Sequence, residues 1–571
     1  MRTYDADYPM SEDLTGPGGA YEMEDRLFRG QVHRMFKHGP RTFGELIARA
    51  AEHAKTRPDA RMTEQDGRVT TYGEAFARTA ALARTLKETL GVRPGDPVAI
   101  SMANRVEWII ALMAVVAAGA APVLVNSRGV GEELDRAIRL ADSVVVIADR
   151  ERHALACAYA PPAWRSILLD APDLIEAGRD LDWADAARPD PHLPLTFVER
   201  APEDPGLVMF SSGTTGFPKA ILHSQGGMAH AFTLGCLVGD VHDRRFEAEF
   251  GETLPASRRV NTSTSVISSP LFHVNGVMPY VRTVMNGQAT VLISKWNVDA
   301  VFDVLERETV SRLGLVPTMV FDMLNSPRAK TGAMAGLHFL GSGTAPLSPA
   351  VAARMREALP RCLMFNSYGQ SETTERVASF SGREFNDNLN AVGRVLPSVQ
   401  IRIVRDDGTD ADPGEAGEIA TRSPANMLAY YNDPQATADT LRDGWVFSGD
   451  IGRFDQNGFL SVIDRKKNMV ISGGENIYCA EVERVLGEHP DAVEAIAYGR
   501  PDPRLGERLA ATVVLKPGAA VSEDEVKAYA RSRLAIYKVP REVAFTHAPL
   551  PRTATGKVAR GVFLKTLDAA A

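Results

Sequence analysis

The stretch Val208-Met-Phe-Ser-Ser-Gly-Thr-Thr-Gly-Phe-Pro-Lys219 decides how this chain is read. Residues 207–210 are uniformly apolar, as expected of a strand buried on both faces. The strand runs into a loop carrying four hydroxyls (Ser211, Ser212, Thr214, Thr215), two glycines (Gly213, Gly216) and a lysine. Glycines let the backbone approach closely, N–H and O–H groups donate, and the lysine brings a mobile positive charge. Together they make a surface suited to polyphosphate. The spacing is not that of a Walker loop, G-x-x-x-x-G-K-[ST].

On the N-terminal side of this loop, apolar spacing and turn residues alternate between helix and strand. Helices are predicted over 42–53, 72–90 and 105–118, and strands over 97–102, near Val123 and over 143–148. This alternation predicts an α/β fold, an open sheet with helices on its faces. The 18 residues from Trp108 to Val125 carry no charge and approach the length of a membrane span. Gly119 and Pro122 divide the run into a helix and a short strand, so it reads as a buried α/β unit. Eight prolines between 161 and 205 predict a surface connection, and the charged block 239–260 reads as a solvated insertion. Beyond Asp464 the elements shorten, with a helix over 480–488, strands near 493–498 and 510–515, and a further helix. Ser522 and Glu525 form a capping-box pattern at the start of that helix.

The 571 residues are 44% hydrophobic and 24% charged, ordinary globular composition with room for more than one domain. The net charge of −8 gives no argument for nucleic acid. It is unevenly placed, with 17 Lys/Arg against 13 Asp/Glu in 465–571 and 47 against 59 in the remainder. Cys157, Cys236, Cys362 and Cys479 lie far apart without a C-x-x-C pair, which points to reduced thiols and a cytoplasmic protein. The acidic, polar N-terminus does not resemble a signal peptide.

SSGTTGFPK resembles the phosphate-loop signature of adenylate-forming enzymes, the superfamily of acyl- and aryl-CoA synthetases, peptide-synthetase adenylation domains and firefly luciferase. Five further motifs follow in that family's order: Tyr368-Gly-Gln-Ser-Glu372, Gly444-Trp-Val-Phe-Ser-Gly-Asp450, Asp464-Arg-Lys-Lys467, Ser472-Gly-Gly-Glu-Asn476 and Pro551-Arg-Thr-Ala-Thr-Gly-Lys557. The resemblance spans nearly the whole chain. It implies an N-terminal body (1–464) of α/β subdomains with a small β-barrel-like subdomain, and a mobile α+β C-terminal domain (465–571) hinged near Lys467. It also implies ATP, Mg²⁺ and coenzyme A as cofactors or co-substrates.

Residue by residue, the resemblance implies catalytic roles for Lys557, Glu372, Thr214, Lys219 and His273, with Glu372 as the metal ligand. Ser211, Ser212, Gly213, Thr215 and Gly216 would cradle phosphate. Gly343, Thr344, Ala345, Asn366, Ser367, Tyr368, Gly369 and Ser371 would line the adenine and acyl group. Asp450 and Arg465 would hold the ribose, and Gly473 and Gly474 would approach pantetheine. Ser371 stands where the family usually has Thr and keeps the hydroxyl. The segment 270–276 resembles the gate of an acyl channel. No Asp lies between Leu271 and Tyr280 to hold a substrate ammonium, which disfavours amino acids. The expected substrate is an apolar carboxylic acid, fatty or aromatic, with Val274, Met278, Val316, Pro317 and Met319 in the pocket. The expected reaction is acyl-adenylate formation followed by thioester formation. Transfer to a carrier protein is the alternative, and a non-catalytic nucleotide-binding relative is a third reading. Expected partners are the small acid, ATP and CoA, without nucleic acid or an integral membrane segment. A homodimer and a lysine acetyltransferase acting on Lys557 are further candidate partnerships.

Overall fold

The computed structural model describes residues 2–5, 7–190, 192–211, 218–342, 349–374, 376–472, 475–553 and 556–570. They form two compact units. One comprises Asp5–Gln400 and Thr421–Val446, the other Met1–Tyr4, Ile401–Ala420 and Phe447–Ala571. The boundary expected at Asp464 lies inside the second unit.

The larger unit is built around an eight-stranded sheet. Its strand order is Ala429–Tyr430, Ala220–Ser224, Pro205–Phe210, Ala121–Leu124, Pro97–Ser101, Val145–Asp149, Arg165–Leu169 and Leu181–Asp182. The strands from Pro205–Phe210 to Leu181–Asp182 run parallel. Ala220–Ser224 and Ala429–Tyr430 close the edge in antiparallel fashion. Both faces are covered: Val98, Ile100, Ile147 and Leu207 point into one core, and Ala99, Val123, Val146 and Val208 into another. That is why these strands read as continuous apolar runs.

The uncharged run becomes the helix Val106–Ala117, in which every residue except Glu107 is buried, followed by the strand Ala121–Leu124. A helix apolar on all sides must be enclosed. At Gly119, φ is +77°, and an added Cβ would lie 2.8 Å from the Val198 side chain, so the turn into the sheet requires glycine. Among the described residues no helix is long and apolar enough to cross a membrane.

Two expectations are corrected. The block 239–260 is not a solvated insertion: most of it lies in the 26-residue helix Gln225–Phe250, where Val241, His242, Asp243, Arg245 and Phe246 are buried. Its charges are matched locally. Arg245 pairs with Glu384 at 2.9 Å, Asp240 accepts the Tyr21 hydroxyl at 2.7 Å, and Asp243 accepts the Val260 N–H at 3.0 Å. Charge content reports composition, and it cannot report that the partners arrive from distant segments. The proline-rich segment 161–205 is likewise more than a surface connection. It contributes Arg165–Leu169 and Leu181–Asp182 to the sheet, with Trp164 and Leu168 buried.

Beside the two-stranded sheet of Met23–Phe28 and Gln31–Phe36, two smaller sheets belong to this unit. One has the order Ser265–Ile267, Thr290–Leu292, Arg61–Gln65, Arg68–Thr71. The other is Arg312–Leu315, Phe339–Ser342, Leu363–Gly369, Arg376–Ser381, Arg394–Val395. In the second unit, Asp450–Phe454 pairs antiparallel with Leu460–Arg465. The terminal α+β part has the sheet order Glu475–Ile477, Val470–Ser472, Gly506–Leu515, Ala492–Asp502, with Glu542–Thr546 beside Gly506–Leu515. Its helix Glu523–Arg531 starts with the expected reciprocal Ser522–Glu525 capping box.

Burial, reinforced by Asp240, pushes the Asp243 carboxyl up to about 7. The folded chain therefore retains a proton across the window from the ordinary carboxylate pKa to about 7, while the unfolded chain loses it. The associated stability is present below that window and is lost as pH rises through about 7. Asp243→Asn is expected to flatten this slope in urea unfolding between pH 5 and pH 8. An unchanged slope would place its origin elsewhere.

Candidate active site

The antiparallel ladder between Pro205–Phe210 and Ala220–Ser224 continues one step further, where the Ser211 N–H donates to the Lys219 carbonyl at 3.0 Å. This closes the base of the Ser/Thr/Gly loop at the sheet's edge. Ser212, Gly213, Thr214, Thr215 and Gly216 lie outside the described residues, as do Gly343, Thr344, Ala345, Gly473 and Gly474.

From that base the Lys219 ammonium lies 4.6 Å from the centre of the Tyr430 ring, a cation–π contact. The Tyr430 hydroxyl donates to Glu372 Oε1 at 2.9 Å. Burial and the Glu372 carboxylate push the Tyr430 pKa well up, so the phenol stays protonated and remains a donor. Lys219 and Glu372 are thus brought together through a tyrosine that sequence reasoning missed. Its only sequence signal was the apolar-aromatic Ala429–Tyr430 segment, which becomes an edge strand.

The position of Glu372 is set by its own backbone. It lies in the 3₁₀ turn Ser371–Thr373, closed by reciprocal bonds between Gln370 and Thr373, and its carbonyl accepts the Met427 N–H at 2.8 Å. The next turn residue but one, Thr374, is fully buried with φ +62°, unfavourable for a β-branched side chain. Its hydroxyl meets the Ala425 carbonyl and, at 2.8 Å, His223 Nδ1. A carbonyl only accepts, so the hydroxyl proton goes to Ala425 and His223 carries its proton on Nδ1. Burial, with Arg29 nearby, holds the His223 pKa down at about 3, so the imidazole is neutral. Tyr368 and Gly369 end the preceding strand, Leu363–Gly369. In the same strand the Asn366 carboxamide oxygen accepts the Ser367 N–H at 2.8 Å.

In the second unit Asp450 sits opposite Arg465 in the ladder, and their side chains form an ion pair at 2.7 Å. Asp450 is buried whereas the Arg465 side chain is 45% exposed. Lys466 pairs with Asp406 at 2.9 Å and Glu418 at 3.2 Å, and Asp464 Oδ2 accepts the Ala480 N–H at 2.8 Å. The Lys467 side chain is exposed, yet partial desolvation by its neighbours together with the Arg465 charge lowers its pKa to about 8. Lys557 follows Gly556 (φ +83°) in a turn where the Thr553 N–H donates to the Lys557 carbonyl at 2.7 Å. The helix Arg560–Ala570 comes next.

The larger unit also holds a cavity of about 120 Å³. Of the expected pocket residues, Met278 and Val316 line it and Val274, Pro317 and Met319 do not. Val274 packs against the main core instead. His273 is the residue before the helix Val274–Met285, and its neighbour Asn275, not His273, is on the cavity wall. The lining is mixed: Arg282, Arg312 and Arg376 and the hydroxyls of Ser265, Ser268, Ser269 and Ser367 share the wall with Phe232, Ile267, Leu315 and Phe365. These residues come from different sheets and helices, so no local pattern announces them. Gly341 also lines the cavity. It lies within the strand Phe339–Ser342, and an added Cβ would fall 2.0 Å from the Phe365 ring.

Residues 50–431 match the AMP-binding enzyme family, and 481–557 match the AMP-binding enzyme C-terminal domain. The chain is 35% identical over 510 residues to a feruloyl-CoA synthase of Amycolatopsis sp, covering 89% of this chain and 96% of that one. It is 32% identical to a 2-succinylbenzoate--CoA ligase of Geobacillus kaustophilus, covering 88% and 94%. Among solved structures, an amide bond synthetase from Marinactinospora thermotolerans superposes with a TM-score of 0.78 at 28% identity, covering 92% of this chain and 99% of that one. This chain belongs to the AMP-binding enzyme family. It is an adenylate-forming acid–thiol ligase, and its mixed α/β body with a small C-terminal α+β part is the architecture expected from its motifs.

Two variants of the ligase test the local geometry. Tyr430→Phe removes the hydroxyl that holds Glu372 and is expected to slow ATP–pyrophosphate exchange about tenfold, the worth of one charge-assisted hydrogen bond. Far-UV circular dichroism should be unchanged. Gly341→Ala must displace the Phe365 ring and is expected to raise KM for the acid far more than KM for ATP. Equal effects on both would show that the cavity Gly341 lines does not receive the acid.

Proposed function

We propose that the ligase is an ATP-dependent acyl-CoA synthetase acting on a compact, ring-bearing carboxylic acid. The carrying observation is the cavity: about 120 Å³ is close to the size of cavity that admits one benzene ring and is small for a long alkyl chain. The feruloyl-CoA synthase and 2-succinylbenzoate--CoA ligase similarities support the same reading. In the first step the carboxylate oxygen attacks the α-phosphorus of ATP and pyrophosphate leaves. In the second, the CoA thiol attacks the acyl carbonyl and AMP leaves. Activation precedes transfer because a free carboxylate has no viable leaving group.

Residue roles follow the motifs and the geometry. The 211–216 loop, with Thr214, would donate to phosphate oxygens, and Lys219, held against Tyr430, would neutralise their charge. Asp450, fixed by Arg465, would accept from the ribose hydroxyls, and Tyr368 would offer a face to adenine. Glu372 is a hard oxygen donor oriented by Tyr430. It fits Mg²⁺, which binds through one or two carboxylates plus substrate phosphates and waters. When bound, the ion would neutralise phosphate charge. Lys557 would bridge the attacking carboxylate and the α-phosphate, as a fixed cation where charge develops. The 465–571 part would turn about Lys467 between the steps, withdrawing Lys557 and presenting Gly473 and Gly474 to pantetheine. Acetylation of Lys557 would remove the adenylation cation. Cys157, Cys236, Cys362 and Cys479 are all free thiols, in keeping with a cytoplasmic enzyme.

The test is AMP formation from a panel of aryl, cyclic and fatty acids with CoA, a carrier protein or an amine as acceptor. CoA-dependent turnover of ring-bearing acids is expected. Pyrophosphate exchange without acyl-CoA would favour transfer to a carrier protein or to an amine. Lys557→Ala is expected to lose about 10²–10³ in adenylation rate. Thioester formation from supplied acyl-adenylate should be largely spared, and equal loss in both steps would contradict the assignment.

A further inference from the structure

The N-terminal hairpin precedes the residues that match the AMP-binding enzyme family, 50–431. Its strands Met23–Phe28 and Gln31–Phe36 pair in register and leave Arg29 and Gly30 as a two-residue turn. Both turn residues have positive φ, +53° and +74°, the sign that a type I′ hairpin turn requires. Asn, Asp or Gly is the ordinary occupant of the first position, and a long side chain there carries backbone strain. Docking of the hairpin is supplied by other residues. Phe28 is buried, with its ring 3.1 Å from where a Cβ on Gly226 would stand. Phe36 is buried too, and its ring centre lies 4.7 Å from that of His230 on the helix Gln225–Phe250.

The Arg29 guanidinium reaches the segment that positions Glu372. Nη1 donates to the Asn426 carbonyl and Nη2 to the Met427 carbonyl, each at 2.7 Å. These carbonyls belong to consecutive peptide groups, and the N–H of each group enters the framework of the site. The Asn426 carbonyl shares its peptide with the Met427 N–H, which donates to the Glu372 carbonyl at 2.8 Å. The Met427 carbonyl shares its peptide with the Leu428 N–H, which donates to the Leu222 carbonyl at 2.7 Å. Leu222 lies on Ala220–Ser224, the strand that closes the base of the phosphate-type loop. Two residues beyond Leu428, the Tyr430 hydroxyl donates to Glu372 Oε1.

A cation on a peptide oxygen polarises the group and strengthens its own N–H as a donor. Arg29 thus tightens the hold on the Glu372 backbone, and the same segment delivers the tyrosine that holds the Glu372 carboxylate. Burial lowers the Arg29 pKa, and two charge-assisted hydrogen bonds offset the desolvation of the cation. A planar fork suits two adjacent carbonyls, which a lysine ammonium does not match.

We propose that Arg29 is a positioning residue of the ligase: from the tip of the N-terminal hairpin it fixes residues 426–428, and through them the place of the Glu372 carboxylate. It acts through the backbone and takes no part in bond making. The proposal rests on the reading of Glu372 as the carboxylate that serves MgATP, and it extends the site to a residue that precedes the family match.

Arg29→Gly is the informative variant, because glycine suits the positive φ and removes the guanidinium while keeping the turn. In the full-length enzyme its ATP–pyrophosphate exchange is expected to slow about tenfold, the worth of one charge-assisted hydrogen bond. The loss should fall in kcat, with KM for the acid unchanged. Binding of MnATP without acid, followed by electron paramagnetic resonance, is expected to weaken, which reads the metal site apart from turnover. Guanidinium ion, added below any concentration that perturbs the wild type, should restore part of the rate in Arg29→Gly and none in Tyr430→Phe. Arg29→Lys should lie between Arg29→Gly and the wild type. Wild-type exchange and MnATP binding in Arg29→Gly would overturn the proposal. So would a loss that includes KM for the acid and that guanidinium does not rescue, since disturbed hairpin packing accounts for it. Full exchange and MnATP binding in Glu372→Gln would instead overturn the underlying reading of Glu372. Should Arg29→Gly fail to fold, Arg29→Lys decides: lowered kcat and weakened MnATP binding support the proposal, and wild-type values overturn it.

Discussion

The antiparallel edge of the eight-stranded sheet is the constraint on which the larger unit's part of the site depends. Pairing of Phe210 with Ala220 closes the base of the phosphate-type loop, and pairing of Ile221 with Tyr430 brings that tyrosine to Lys219 and Glu372. The edge is anchored by the parallel core behind it, where alternate residues of each strand enter two separate apolar clusters. A slip of one residue would exchange those faces and turn the loop's base away from Tyr430. The chemistry at the edge therefore inherits its precision from burial several strands away.

A second feature is the use of charge inside the larger unit. The helix Gln225–Phe250 buries Asp243, His242 and Arg245, and near it three arginines reach the cavity wall. Such groups are costly unless matched, and the matches come from Tyr21, Val260 and Glu384, far apart in sequence. The cavity differs from an ordinary hydrophobic slot for this reason.

Much of the fold was legible. The helix Phe43–Thr56 begins at the N-cap Thr42, Pro97–Ser101 and Val145–Asp149 are strands, and the Ser522–Glu525 capping box forms as its spacing predicts. These features rest on contacts between near neighbours in sequence. The buried helix at 239–250 was misread because its charges find partners only after folding. The segment 161–205 was misread because proline marks its connections and says nothing of the strands between them. Gly341 shows the same limit: its need for glycine comes from Phe365, on the neighbouring strand.

The sequence by itself determined the family and the order of the motifs, and it singled out Lys219, Glu372, Asp450, Arg465 and Lys557 as candidate site residues, because chemistry-bearing residues are spaced locally within short motifs. Only the tertiary structure decided that Tyr430 links Lys219 to Glu372, that His223 and Thr374 brace the turn behind it, and that three arginines from separate elements line one cavity. Those arrangements join segments tens to hundreds of residues apart. Their geometry is fixed by sheet register and core packing, which no single stretch of chain encodes.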